Sequence, residues 1–232
     1  MKIMSFNIQH GIDYLYGGVK LEIMADAIKK CNPDIVGLNE VFDEGTAEAF
    51  VPQAAILSKL TGLKYHYFAK AIDCGNNNPY GNAFISRYPI ISAETITVPD
   101  PDPRAYNDYY ETRCVMKVKL ENGVNVLVTH FGLNPDEQEN SVKTILEILP
   151  QEKCILMGDF NSTPDNPILA PIMEKMTDTA VKFEKPFCTF PSHAPDRKLD
   201  YILVSKDIEV ISAEVPELIA SDHRPHLAEV KI

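Results

Sequence analysis

Short apolar runs of strand length alternate along the chain with segments of helical periodicity, and this alternation limits the fold to layers of sheet and helix. In the first helical segment, Leu21, Met24, Ile28 and Cys31 fall on one face, and Pro33 ends the helix. Further helices are predicted at 54–60, 135–149 and 168–175. Strands are predicted at 3–6, 35–41, 64–70, 82–87, 90–98, 114–120, 124–129, 154–157 and 226–231.

Two hairpins are predicted between neighbouring strands. Asn122-Gly123 separates 114–120 from 124–129, and this pair accepts the positive φ of a primed turn. A second hairpin is predicted at 199–213. Mixed strands and helices with hairpins indicate an α/β or α+β layered sandwich.

The charge balance is acidic. Of 232 residues, 22 are Lys or Arg and 33 are Asp or Glu, which gives a formal net charge of −11. Non-specific nucleic-acid binding depends on Lys and Arg that neutralise phosphates, so nucleic acid is not the favoured partner. An acidic protein can still hold a phosphate through a bound cation, because the ion reverses the local field. No apolar run reaches the roughly 18 residues that a membrane span needs.

The five cysteines are scattered without a C-x-x-C pair, which predicts reduced packing residues rather than a disulfide framework or a zinc site. The first residues lack the apolar segment and small-residue cleavage site of a secretory signal. No repeat or linker divides the sequence. We therefore expect a cytoplasmic monomer with a single domain over 1–232.

Polar residues interrupt the apolar runs where predicted strands end or begin. In layered sheets, ligands bind in the crevice where strand ends converge. These positions are Asn7, Asn39-Glu40, Thr129-His130, Asp159 and Asn161, Asp200, and Asp222-His223. Each alone is more typical of a turn, a solvated strand end or a hydrogen-bonded structural histidine. Six such clusters at strand ends together predict a shared site.

The residue types suit hydrolysis of a phosphate ester, which needs charge neutralisation, an activated water and a group at the leaving oxygen. Glu40 and Asn7 supply the oxygen ligands that Mg²⁺ prefers. Asp159 and Asn161 are two apart on an extended segment and face the same side. One of them is predicted to orient water while the other holds a phosphate oxygen.

A histidine paired with a carboxylate is held in one tautomer and favours its charged form, which suits proton transfer or phosphate contact. His223, with Asp200 as its orienting partner, is the best candidate for such a pair. Walker A, G-x-S-x-G, H-E-x-x-H and G-x-G-x-x-G sequences are all lacking. The sequence therefore gives no support for P-loop nucleotide hydrolysis, serine-nucleophile hydrolysis, zinc proteolysis or dinucleotide binding.

In this order, the motifs resemble the endonuclease/exonuclease/phosphatase superfamily, the deoxyribonuclease-I-like metal-dependent phosphoesterases. The matching blocks cover nearly the whole chain and are S-F-N-I-Q-H-G from Ser5, P-D-I-V-G-L-N-E-V from Pro33, G-N-A-F-I-S-R-Y-P-I from Gly81, T-H from Thr129, G-D-F-N from Gly158, L-D-Y-I from Leu199 and S-D-H from Ser221. The resemblance implies a four-layer αββα sandwich of two facing mixed β-sheets. It also implies hydrolysis of phosphoester bonds with Mg²⁺ or Mn²⁺ as cofactor.

The resemblance further implies a role for each matching residue. The implied metal ligands are Glu40, Asn7 and Asp222. The implied catalytic residues are His130, Asp159, Asn161, Asp200 and His223. The implied substrate-binding residues are Asn161, Arg113, Asn82 and His10.

Among the implied catalytic residues, Asp159 would position or activate the nucleophile and Asn161 would hold the phosphate. Asp200 would orient His223, and His130 would serve the leaving-group or phosphate side. These roles predict a phosphodiester as the substrate class. A nuclease acting on DNA or RNA and a phosphomonoesterase of the same fold stay open as alternatives, and so does a catalytically silent module that binds a phosphate ligand.

The sequence departs from the family pattern in two respects. Asn39 stands before Glu40 where the family usually has glutamine, and we expect this change to leave metal binding intact. The chain has no tryptophan and therefore lacks the P-A-W-C-D-R signature of inositol phosphatases.

Overall fold

The structure, a computed structural model, describes residues 1–107, 109–182 and 187–232, and these residues form two six-stranded sheets with helices on their outer faces. The strands are β1 (Lys2–Asn7), β2 (Ile35–Phe42), β3 (Tyr65–Asp73), β4 (Pro79–Ser86), β5 (Ile90–Thr97), β6 (Cys114–Leu120), β7 (Asn125–His130), β8 (Cys154–Asp159), β9 (Met176–Asp178), β10 (Asp200–Ser205), β11 (Glu209–Glu214) and β12 (His226–Lys231). The helices are α1 (Leu21–Cys31), α2 (Gln53–Thr61), α3 (Pro135–Ile148) and α4 (Ala170–Lys175). Within these described ranges, no helix is long and apolar enough to cross a bilayer.

Each sheet is mixed and contains one parallel pair. Sheet one has the strand order β11-β12-β1-β2-β4-β3, and sheet two has the order β5-β6-β7-β8-β10-β9. β1 and β2 run parallel and are connected through α1, while β7 and β8 run parallel and are connected through α3. Each of these β-α-β units brings two carboxyl strand ends to one edge of its sheet.

Three apolar clusters hold the layers together. The cluster between the sheets includes Phe84 from sheet one and Met157 from sheet two. A second cluster packs α1 and α2 on the outer face of sheet one, and a third packs α3 and α4 on the outer face of sheet two. Fully burying a large apolar side chain contributes about 1.5–3 kcal/mol, so these clusters dominate the favourable side of folding. The predicted four-layer αββα sandwich is confirmed.

The predicted hairpin at 199–213 is wrong, because its two strands belong to different sheets. β10 pairs with β8 and β9, whereas β11 pairs with β12. β10 is buried along its whole length, and neighbours on both sides occupy its two hydrogen-bonding edges. No edge is left for β11, so the chain crosses to sheet one at the turn where the Ile208 N–H donates to the Ser205 carbonyl at 3.0 Å.

The hairpin between β6 and β7 is confirmed, but its turn differs from the predicted one. Gly123 takes a positive φ of 85°, and Asn122 does not take a positive φ. The Gly123 N–H donates to the Leu120 carbonyl at 2.9 Å, and the Leu120 N–H donates to the Val124 carbonyl at 2.9 Å. Only glycine is required at φ > 0 here, as in three-residue hairpin loops.

Strand pairing brings polar strand ends to one edge of the sandwich. In sheet one, Asn7 of β1 is paired with Asn39 of β2. In sheet two, Asp159 of β8 is paired with His130 of β7 on one side and with Asp200 of β10 on the other. Backbone pairing alone therefore places these polar residues next to one another.

Candidate active site

A cavity of about 440 Å³ opens at this edge of the sandwich. Predicted site residues from both sheets line it, and they are His10, Glu40, Arg113, His130, Asp159, Asn161, Asp222 and His223. Asn7 and Asp200 lie fully buried behind this wall, hydrogen bonded to lining residues. The structure therefore brings these predicted residues together around one cavity.

Asn82 does not line the cavity. It is 2% exposed, and its side chain lies between the sheets. Its Oδ1 accepts from Asn39 Nδ2 at 2.8 Å, and its Nδ2 donates to the Cys114 carbonyl at 3.2 Å. Both ends of the amide are occupied inside the protein, so the structure gives no support to the prediction that Asn82 binds substrate.

Glu40 reaches the cavity because β2 contains a β-bulge. Two residues of β2, Asn39 and Glu40, oppose the single residue Asn82 of β4. Glu40 takes a φ of 56°, which is uncommon for a residue other than glycine. Regular alternation would turn Glu40 toward the helices, as it turns Leu38, and the bulge turns it toward the cavity instead. The strained backbone at Glu40 is therefore what points its carboxylate into the cavity.

Asn7 lies between two carboxylates. Its Nδ2 donates to Glu40 Oε1 at 3.0 Å and to Asp159 Oδ2 at 3.1 Å. Its Oδ1 accepts from the Gln9 N–H at 3.1 Å. The amide nitrogen, not the oxygen, faces the acidic groups, so Asn7 holds them at a fixed separation.

Asp159 follows Gly158, where β7 and β8 approach closely. Gly158 has a φ of 144°, and a Cβ there would lie 1.8 Å from the Thr129 carbonyl oxygen, so only glycine fits. Burial raises the pKa of the Asp159 carboxyl, His223 opposes this rise, and the charge on Asp200 adds to it. A carboxylate with a raised pKa is a stronger base, which suits proton transfer from water.

His223 is held in its charged form. Its Nδ1 lies 2.8 Å from Asp200 Oδ2, and its Nε2 lies 3.5 Å from Asp159 Oδ2. Burial by itself lowers the pKa of a histidine, but the carboxylates of Asp200, Asp159 and Asp222 outweigh burial and raise the pKa of His223 to about 10. The ring is therefore positively charged at neutral pH.

His130 is held neutral. Its Nδ1 lies 3.3 Å from Arg113 Nη1, and its Nε2 lies 3.7 Å from Asp159 Oδ2. Burial lowers the pKa of His130 well below its usual value of 6.5, and the Arg113 charge lowers it further. Asn161 completes this side of the cavity, with its Nδ2 donating to the Phe131 carbonyl at 3.0 Å.

Comparison with known sequences identifies the family of this chain. The sequence profile described as the Endonuclease/Exonuclease/phosphatase family matches residues 4–223, which is nearly the whole chain. This chain belongs to that family. Its members hydrolyse phosphoester bonds. No curated protein sequence matches the chain.

Solved structures of the family share the fold. An endonuclease/exonuclease/phosphatase from Beutenbergia cavernae is 22% identical with a TM-score of 0.83, over 100% of this chain and 71% of that chain. A mannosyl-6-phosphatase from Bacteroides thetaiotaomicron is 18% identical with a TM-score of 0.78, over 100% of both chains. A humanized TDP2 from D. rerio is 13% identical with a TM-score of 0.67, over 100% of this chain and 99% of that chain. At these identities the likeness shows the fold alone.

Family members generally depend on a divalent cation, and one wall of the cavity has the chemistry to bind one. Glu40 and Asp222 both line this wall. Burial raises the pKa of the Asp222 carboxyl, His223 lowers it, and the negative charge of Glu40 raises it again. Two neighbouring carboxylates that repel one another are stabilised by a cation, and oxygen ligands are those that Mg²⁺ and Mn²⁺ prefer. The residues present therefore fit the cofactor.

A second group of potential ligand atoms lies at the same cavity. One atom from each of Asp159, Asp200 and His223 lies within 4.8 Å of the others, so these residues could also hold a metal ion. The carboxylates around His223 raise its pKa to about 10, so its ring would have to lose a proton before it could act as a ligand.

Several residues of the cavity wall were not predicted from the sequence. Phe42 stacks on the His10 ring at 4.4 Å, Tyr80 meets the same ring edge-on at 5.3 Å, and Glu111 forms an ion pair with Arg113. Tyr80 lies near the start of β4, which is antiparallel to β2, and so it lies at the same edge as the end of β2. That signal becomes visible only once the strand pairing is known.

Proposed function

We propose that this member of the family is a divalent-metal-dependent hydrolase of phosphodiesters whose catalytic domain spans 1–232. One observation carries the proposal: the buried Asp159 carboxylate lies between the Asn7 amide and the charged His223 ring, in the wall of a cavity that Glu40 also lines. A base, a cationic side chain and metal-binding oxygens thus meet at one cavity, as phosphoester hydrolysis requires.

In this proposal Glu40 and Asp222 hold Mg²⁺ or Mn²⁺. The bound ion supplies positive charge that neutralises the phosphate oxygens. Asn7 stays a proposed further ligand, because its amide oxygen accepts from the Gln9 N–H with one of its two lone pairs. Its Nδ2 donates to Glu40 and to Asp159, and we propose that it keeps these carboxylates at their working separation.

The side chains around Asp159 divide the remaining work. Asp159 accepts a proton from the attacking water, while the water oxygen bonds to phosphorus and the bond to the leaving oxygen breaks. His223, oriented by Asp200, donates a hydrogen bond to a phosphate oxygen. Asn161 and the neutral His130 contact the phosphate from the opposite side of Asp159.

The cavity wall next to Glu40 and His130 limits the substrate, since His10 Nε2 lies 3.5 Å from Glu40 Oε2 and Arg113 Nη1 lies 3.3 Å from His130 Nδ1. His10, stacked on Phe42, offers an aromatic ring to the substrate, whereas Glu111 neutralises the charge of Arg113. A second phosphate would find little unpaired positive charge here. This wall favours a small phosphodiester over a polynucleotide, in keeping with the net charge of −11.

Phosphomonoester hydrolysis is the second candidate function. The observation in its favour is the mannosyl-6-phosphatase, which is similar in structure over 100% of both chains although only 18% identical. A monoester carries more negative charge on its phosphate, and the charged His223 ring also suits such a group.

The direct test is hydrolysis of bis-p-nitrophenyl phosphate with Mg²⁺ or Mn²⁺, with and without EDTA. We expect EDTA to abolish the activity and Glu40→Gln to lower kcat/KM by at least about 100-fold, since a ligand carboxylate is lost. Glu209→Gln, at an exposed residue of β11, is the matched control and should retain full activity. Activity that survives EDTA contradicts the metal dependence.

The alternative functions give different results in the same series. Faster turnover of p-nitrophenyl phosphate than of the diester would establish the phosphomonoesterase. Cleavage of plasmid or single-stranded DNA or RNA would establish a nuclease. Binding of phosphate without turnover of any of these compounds would establish the silent binding module.

A further inference from the structure

Asn39 connects the two sheets at the edge that carries the cavity. This fully buried residue directly precedes Glu40 in β2. Its Oδ1 accepts from the Asp159 backbone N–H at 2.9 Å, and its Nδ2 donates to the Thr129 carbonyl and to Asn82 Oδ1, both at 2.8 Å. Because the Asp159 N–H only donates and the Thr129 carbonyl only accepts, these partners fix the orientation of the Asn39 amide.

These bonds cross an interface that is mostly apolar, and they end beside the residues that the proposed chemistry needs. On sheet one, the bridging side chain is adjacent to Glu40. On sheet two, the bonded groups are the N–H of Asp159 itself and the carbonyl of Thr129, which precedes His130. The Asn39 side chain therefore connects the backbone at Glu40 to the backbone at Asp159.

Strand pairing does not fix Glu40 by itself. Residues 39–40 form the bulge, where regular pairing with β4 is interrupted, and Glu40 has a φ of 56°. A sparsely populated backbone conformation persists only where its surroundings over-determine it. The three hydrogen bonds of Asn39 supply such surroundings next to the strained residue.

We propose that Asn39 is a positioning residue that sets the separation between Glu40 on sheet one and Asp159 on sheet two without touching the substrate. The inference rests on the proposed function, since it concerns the same metal-binding and proton-accepting groups. A misplacement of about 1 Å can lower a rate on the order of 100-fold. Loss of the bridge should therefore lower kcat, whereas KM changes little because the cavity walls that contact the substrate stay in place.

Two variants test the bridge against a matched control. Asn39→Leu has a similar shape without polar atoms, and Asn39→Asp keeps an acceptor for the Asp159 N–H but sets an oxygen against the Thr129 carbonyl. The control is Ser5→Ala, at a fully buried residue of β1 whose Oγ has no hydrogen-bond partner among the residues that the structure describes. Each protein is assayed with bis-p-nitrophenyl phosphate and Mg²⁺, and its thermal midpoint is recorded.

We expect both Asn39 variants to lose about 10- to 100-fold in kcat per folded molecule, with KM within about threefold, and Ser5→Ala to match the wild type. If one variant does not fold, the other still provides the measurement. A lowered thermal midpoint with unchanged kcat would show a merely structural role and overturn the inference. An inactive wild type would instead refute the proposed function, so the two failures are distinct.

A double-mutant cycle identifies the residue through which Asn39 acts. Glu40→Asp shortens the carboxylate side chain and already alters its separation from Asp159. Asn39→Leu in the Glu40→Asp background should lower kcat by less than about threefold further, because interacting residues are not additive. Full multiplication of the two losses would overturn the inference.

Discussion

His223 and His130 flank the Asp159 carboxylate from two sides of the cavity, yet His223 is charged and His130 is neutral. Their Nε2 atoms lie 3.5 and 3.7 Å from Asp159 Oδ2, and both rings are buried. Burial lowers the pKa of both histidines, but Asp200 stands behind His223 and Arg113 behind His130. Burial, helped by Arg113, therefore keeps His130 neutral, whereas Asp200 and the neighbouring carboxylates outweigh burial at His223, although the distance to Asp159 hardly differs.

The comparison explains how one carboxylate can serve as a base between two imidazoles. If both rings were charged, they would lower the pKa of Asp159 and weaken it as a base. If both were neutral, the phosphate would meet no cationic side chain beside Asp159. One charged and one neutral ring avoid both outcomes, and each prediction below removes one part of this arrangement.

Removing the shared carboxylate should have the largest effect. Asp159→Asn deletes the proposed base and leaves both histidines without their common partner, so we expect kcat/KM to fall about 1,000-fold. Steady-state kinetics with bis-p-nitrophenyl phosphate measure the loss. Asp165→Asn, at an exposed residue six positions later, is the control and should be fully active. A loss below about tenfold in Asp159→Asn would show that another group accepts the proton.

Removing the charge behind His223 should have the next largest effect. Asp200→Asn preserves shape but lowers the pKa of His223, whose ring in the wild type keeps its proton up to about pH 10. At pH 8 the variant ring loses nearly all of its charge, so kcat/KM should fall about 100-fold. Near pH 6 the ring regains its proton and the loss should be smaller. An equal loss at both pH values would contradict a role through the charge of His223.

Removing the charge behind His130 should have a smaller effect. Arg113→Met is made together with Glu111→Gln, so that the half-buried Glu111 carboxylate does not lose its partner. The pKa of His130 should rise because the guanidinium no longer opposes its protonation. We expect about a tenfold loss in kcat/KM, greatest at the acid end of the pH profile, where His130 acquires a charge. A loss that grows toward alkaline pH would reverse the assignment.

A third buried histidine should affect stability rather than rate. Burial and the nearby charge of Lys198 together lower the pKa of His226 to about 4. The unfolded chain takes up this proton near pH 6.5, before the folded protein does, so stability should fall between pH 6.5 and 4 by on the order of 3 kcal/mol. Urea unfolding at several pH values should show a flatter dependence in His226→Gln, with kcat/KM within about threefold of wild type. An unchanged slope would show that the pKa of His226 is the same in the folded and unfolded states.

Much of this site could be predicted from the sequence, because polar residues at strand ends converge wherever parallel strands share an edge. Asn7, Glu40, His130 and Asp159 all follow apolar runs, and the structure brings them to one cavity or directly behind it. The helix over 21–31 and the capped start of α3 at Pro135 depend on local periodicity and on proline geometry, so they too could be predicted.

The parts that the sequence does not reveal depend on pairing between distant segments. The predicted hairpin at 199–213 is wrong because β10 already has neighbours on both edges, and its two strands divide between the two sheets. The bulge that turns Glu40 toward the cavity depends on the pairing of β2 with β4. Asn82 matches a family block but faces Asn39 between the sheets, and Asn39 gave no signal except that it departs from the usual glutamine.

The difference in charge between the two histidines, one charged and one neutral, can be measured directly by ¹⁵N NMR of the imidazole rings at pH 7.5. The resonances of the wild-type protein are assigned by comparison with the variants His223→Gln and His130→Gln. The arrangement described above predicts a charged ring for His223, with two protonated nitrogens, and a neutral ring for His130, with one. A neutral His223, or a charged His130, would contradict it.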